Sequence, residues 1–143
     1  MEGRDGILEA IMIRALSIIQ PWAWLIVHGH KGIENRSWGP PSWMLDKRII
    51  IHASAKKSRD EFAAATQIAE PLGIQLPEID SLSYGAAIGS AILDGVIESS
   101  TNPWFFGPFG WRFNSPIVFT KPIPMRGALG LWKYPGDHPT ISA

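Results

Sequence analysis

The chain has 143 residues, no cysteine, and thirteen basic residues balanced by thirteen acidic ones. That balance excludes a duplex-coating protein held by bulk charge, and the missing thiols exclude disulfides, thiolate zinc sites and cysteine nucleophiles. At 45% hydrophobic, with no run near the roughly 20 apolar residues of a membrane span and no signal-peptide order at Met1-Glu2-Gly3-Arg4, one soluble, cytoplasmic domain is expected.

Residues 1–12 show no clear period and are set aside as an N-terminal extension ending at a second methionine, Met12; 13–134 form the domain and 135–143 a frayed tail. The run 13–18 alternates imperfectly and reads as a first strand. Pro21 suits the first position of a short helix and Gly29 the left-handed residue after its end, with Trp22, Leu25 and Ile26 as its apolar stripe. Residues 33–38 read as a strand, which places Glu34, Arg36 and Trp38 on one face and Ile33, Asn35 and Ser37 on the other.

Pro40-Pro41 breaks the chain before the clearest buried strand, 48–53. Ser58-x-x-Glu61 has the spacing of a capping box and opens a helix at about 59–69, ended by Glu70-Pro71. Residues 72–84 read as a loop or a broken helical turn. A long strand is expected over 85–96, where Gly89 and Gly95 permit bending or close backbone approach. Three shorter strands follow at 110–113, 117–119 and 129–134. Strands outnumber helices and no regular βαβ alternation occurs, so the fold class is α+β and barrel-like.

An ordered set of motifs runs through this pattern: Leu16-Ser17-Ile18-x-Gln20-Pro21-Trp22-Ala23, then Gly29-x-Lys31-x-x-Glu34-x-Arg36-x-Trp38, then Ile51-His52-Ala53-Ser54. It resumes with Ala87-Ile88-Gly89-Ser90-Ala91 leading to Asp94, Pro103-Trp104-Phe105, Gly110-Trp111, and Pro122-x-Pro124-x-x-Gly127-x-x-Gly130-Leu131-Trp132. In this the chain resembles the ASCH domains, named for homology to activating signal cointegrator. The resemblance implies a PUA-like small β-barrel with flanking α-helices and a cleft for RNA. It also implies a link to small amidohydrolases that deacetylate acetylcytidine, and to proposed ribonucleases. Those amidohydrolases carry a threonine three residues after the lysine, where this chain has Glu34.

Several side chains can serve such a cleft. Lys31 can polarise a carbonyl or hold a phosphate while Glu34 accepts a proton, or the two form a plain salt bridge. Arg36 can grip a phosphate or tie down Glu34, and Trp38 can stack on a base or cover the barrel end. His52 is a ligand or acid–base group, or a neutral ring bonded to backbone; Ser54 is a hydrogen-bond donor to phosphate or to a turn. Lys47, Arg48, Lys56, Lys57 and Arg59 form the densest basic cluster, which is either a phosphate-binding surface or a solvated helix start. Of the tryptophans, Trp22 and Trp132 are expected in the core, whereas Trp43 and Trp104 sit in Pro-rich loops where exposure is expected.

The expected partner is single-stranded RNA or a modified nucleoside, bound by Lys31, Arg36, Trp38, His52, Ser54, Lys56 and Lys57. The alternatives are a hydrolase using Lys31 and Glu34, either on a modified nucleoside or as a magnesium-assisted ribonuclease, and a protein-interaction domain. No metal site or cofactor is expected. Magnesium enters only with nuclease chemistry, held by carboxylates such as Glu34 or Asp94.

Overall fold

The computed structural model describes residues 12–139; the expected extension, apart from Met12, lies outside them. Six strands form one mixed sheet: β1 (Arg14–Ile18), β2 (Ile33–Arg36), β3 (Lys47–Ala53), β4 (Ala86–Ile97), β5 (Phe109–Pro124) and β6 (Leu131–Lys133), ordered β2-β5-β4-β3-β1-β6. Only β1 and β3 run parallel; every other pair is antiparallel. Among the described residues, two α-helices accompany the sheet, α1 (Trp22–Val27) and α2 (Arg59–Ala69). The expected α+β small barrel is thus present, as a sheet curled into a half-barrel.

The curl has a local cause. The register between β4 and β5 shifts at 87/89, 90/92 and 93/95, and that between β3 and β4 shifts at 51/52. Each irregularity bends a strand and adds twist. Gly89 sits at the tightest point: a Cβ there would lie 2.2 Å from the Ile117 carbonyl oxygen and 2.7 Å from Val27 Cγ1. Only a residue without a side chain lets β5 and α1 close on β4.

Burial follows the alternation of the strands. Leu16, Ile18, Ile49, Ile51 and Ala53 join Ile26, Val27 and Trp111 in the main core. The intervening Ala15 and Ile50 pack on the other face with Phe119 and Tyr134. Helix α1 is too short to persist alone, and it is held by burying Ala23, Leu25, Ile26 and Val27.

Two expectations change. Residues 110–113 and 117–119 belong to one strand, β5, which passes through Ser115 at φ 50° rather than breaking. Trp104 is buried, meeting Trp22 edge-on at 6.2 Å and packing near Ala65 and Ala69 of α2. Of the tail, 135–139 are described, and His138 there bonds Ser90 Oγ at 2.9 Å. Trp43 is exposed, as expected, with Arg14 over its ring at 5.2 Å.

Candidate functional site

A cavity of about 890 Å³ opens on one rim of the half-barrel. Its walls come from the ends of β1, β2 and β3, the turn before β4 and the loop after β5. Its size is that of a small-ligand pocket.

Lys31 reaches its floor because of the way α1 ends. Gly29, at φ 79°, turns the chain so that the amides of His30 and Lys31 both donate to the Leu25 carbonyl, at 2.9 and 3.0 Å. The Lys31 side chain is then 2% exposed, with Nζ 3.1 Å from Glu34 Oε1 and 5.4 Å from the centre of the Trp22 ring. Burial pulls its ammonium below the ordinary lysine value; Glu34 opposes that fall and Arg36 adds to it.

The parity expected for β2 places Arg36 beside the same carboxylate. Its Nε lies 3.1 Å from Glu34 Oε2, close enough for an ion pair, although the N–H has no hydrogen-bond acceptor. Its Nη2 donates to the Ser17 carbonyl at 2.8 Å. Both readings of the Lys31–Glu34–Arg36 group as ion pairs therefore describe the geometry, with Glu34 shared between two cations. Trp38 lines the cavity as well, edge-on to Trp111 at 4.8 Å, and its carbonyl accepts from Trp111 Nε1 at 2.9 Å.

A second polar group forms where β1 and β3 run side by side. Ser17 and His52 are register partners, so their side chains leave the same face, and Ser17 Oγ lies 3.0 Å from His52 Nδ1. Trp132 Nε1 donates to Ser17 Oγ at 3.1 Å, and His52 Nε2 lies 2.8 Å from the Met125 carbonyl. An indole N–H only donates and a carbonyl only accepts, so Trp132 donates to Ser17 Oγ and His52 Nε2 donates to the Met125 carbonyl. The His52 ring is bonded to backbone, and its bonds hold the loop after β5 in place.

Capping is half of what the sequence suggests. Ser58 Oγ accepts the Glu61 amide at 3.2 Å, but the Glu61 carboxylate does not return to the cap. Its Oε2 instead accepts Trp22 Nε1 at 2.6 Å and stands in the cavity wall. Trp22, expected in the core, is half-buried and lines the cavity.

Among the other expected site residues, Ser54 lines the cavity and Lys56 and Lys57 do not. Lys57 pairs with Asp80 and lies over Tyr84. The basic cluster is divided by the length of β3, since Arg48 at its start donates to Ser90 Oγ and the Ser115 carbonyl while Lys56 and Lys57 follow its end. Sequence reasoning missed Ser17, Glu61, Phe106, Arg126 and Leu129 as lining residues. Phe106 is presented by Asn35, whose side chain accepts the amides of Phe106 and Gly107 at 2.8 and 3.0 Å and donates to the Trp104 carbonyl at 2.9 Å.

The carboxylates considered for magnesium do not converge. Glu34 already carries two cations, and Asp94 bonds Arg112 and Asn114 at another place on the sheet. No group of three His, Cys, Asp or Glu side chains that could hold a metal ion occurs among the described residues.

A curled mixed sheet with one rim cavity, floored by ions and walled by indoles, defines a small α+β cleft domain. A sequence profile of the ASCH domain matches residues 16–104, and the chain belongs to that family, which is associated with RNA. Human activating signal cointegrator 1 is 28% identical over 130 residues, covering 82% of this chain and 22% of the human protein. The chain thus spans about a fifth of that relative's length. The crystal structure of ASCH from Zymomonas mobilis superimposes with a TM-score of 0.50 at 17% identity, over 79% of this chain and 73% of that one, and shows the shared fold. No described helix is long and apolar enough to cross a membrane.

Proposed function

We propose that the rim cavity holds one unpaired base of single-stranded RNA or a free nucleotide. The observation that supports this most is the placement of Trp22 and Trp38, both half-buried, around the buried Lys31–Glu34–Arg36 group. Aromatic faces accept any base, stacking being worth about 1–3 kcal/mol, while fixed charges and hydroxyls match donors and acceptors on its edge. Lys31 and Arg36 contribute to the field of the floor rather than gripping phosphate, because Glu34 and the Ser17 carbonyl already occupy them.

Titration of the indole fluorescence with short single-stranded RNA at low salt tests this reading. Saturable binding is expected, weakened roughly tenfold or more by Trp38→Ala. Absence of saturation, or binding indifferent to Trp38→Ala and Lys31→Met, would refute it.

A second reading rests on the lowered Lys31 ammonium. A buried lysine hydrogen-bonded to a carboxylate suits polarisation of an acyl oxygen, so the bound nucleoside would be hydrolysed rather than only held. Binding is favoured over hydrolysis, because both oxygens of Glu34 are already engaged, one by Lys31 and the other by Arg36. Turnover of acetylcytidine that Glu34→Gln abolishes while leaving binding intact would reverse that preference.

A further inference from the structure

We infer that Arg126 reads a phosphate at the mouth of the cavity, so that the ligand is a nucleotide or an RNA residue with its phosphate rather than a bare nucleoside; this rests on the nucleotide-binding reading above. Three cations line the cavity, Lys31, Arg36 and Arg126. Lys31 and Arg36 are shared by Glu34. Among the described residues, Arg126 is the lining cation with no ion pair or hydrogen bond, and it is exposed at the rim. An unpaired guanidinium offers five donors in a planar fork that matches the oxygens of a phosphate.

Its backbone is held on both sides. The preceding Met125 amide donates to the Gly85 carbonyl at 3.0 Å, and the Met125 carbonyl accepts His52 Nε2 at 2.8 Å. The following Gly127 packs so closely that a Cβ there would lie 2.3 Å from Ser17 Oγ and 2.8 Å from His52 Cε1. Arg126 is therefore carried between two anchored residues, and a fixed presentation reduces the ordering cost of binding. The remaining unpaired carboxylate of the lining, Glu61, is bonded to the Trp22 indole and suits the N–H groups of a base better than a phosphate. His52 and Ser17 thus act as positioning residues for Arg126.

The test is a binding cycle with adenosine and cytidine, each as the nucleoside and as its 5′- and 3′-monophosphate. Wild-type, Arg126→Ala and Arg126→Lys proteins are compared, with circular dichroism confirming the fold. One of the monophosphates should bind about tenfold or more tighter than its nucleoside, as expected for a charge-assisted hydrogen bond. In Arg126→Ala that gap should collapse to within about twofold with nucleoside affinity unchanged, and Arg126→Lys should restore part of it. Equal binding of nucleoside and monophosphates, or an equal loss for all of them in Arg126→Ala, overturns the phosphate assignment and leaves the cavity reading standing. Binding of none of them, at up to millimolar ligand, overturns both.

Discussion

Arg36 on β2 donates from Nη2 to the carbonyl of Ser17 on β1, 2.8 Å away, and so joins two strands that have β5, β4 and β3 between them in the sheet. The bond runs across the open side of the half-barrel beside the cavity. Arg36→Ala should therefore destabilise the fold by about 1.5–3 kcal/mol, the usual worth of a hydrogen bond from a charged group. Arg36→Lys should recover only part, since one ammonium cannot serve both Glu34 and Ser17 in the same geometry. Urea unfolding of the three proteins checks this, and an Arg36→Ala midpoint equal to wild type would speak against the cross-tie.

Glu34 is the counter-charge for a lysine that is 2% exposed. Glu34→Gln should cost about 3–5 kcal/mol at neutral pH, because it leaves a buried ammonium without its partner. The Lys31 value already lies below its unfolded one, and losing Glu34 lowers it further. Between the folded and unfolded values the unfolded chain binds more protons, so stability rises with pH. The deficit of Glu34→Gln should accordingly shrink between pH 7 and pH 9.5. A deficit unchanged over that interval would show that Lys31 does not cause it.

Gly127→Ala should lower stability by about 1–3 kcal/mol, since the new methyl must displace Ser17 or His52. The loop after β5 would move away from His52, weakening its bond to Met125. The imidazole resonances of His52 report this directly: they should change in Gly127→Ala and stay fixed in Gly39→Ala, where a Cβ makes only ordinary contact with the Phe109 ring at 3.8 Å.

Lys56 and Lys57 lie outside the cavity lining, and Lys57 is paired with Asp80. Replacing both by alanine should change RNA affinity by less than about threefold at physiological salt, the contribution of long-range charge being screened there. A loss of tenfold or more would move the binding surface to the end of β3.

Local periodicity made much of the scaffold legible. Alternation along 33–38 put Glu34 and Arg36 on one side, and Lys31 three residues before Glu34 completed the floor group that the structure shows. The Ser17–His52 contact was not legible, because it depends on parallel pairing of strands 35 residues apart, which no local pattern encodes. Arg126 and Phe106 sit in irregular loops, where neither period nor spacing indicates the direction of a side chain. Trp104 lies beside Pro103 and looks like a loop residue; its burial comes from packing under α2, a tertiary event. Residues 110–119 look like two strands because Asn114, Ser115 and Pro116 suggest a break, yet one left-handed residue at Ser115 carries the ladder through a bend.

The seven tryptophans provide the most direct measurement of the central claim. In a nitrogen–proton correlation spectrum of the indole groups, titrated with a nucleoside monophosphate, the Trp22 and Trp38 resonances should shift together and saturate, because both rings line the cavity. Trp24, stacked on His28, and Trp43, beside Arg14, should stay in place. Saturable shifts confined to Trp24 and Trp43, or none at any ligand concentration, would contradict a nucleotide-binding cleft at this rim.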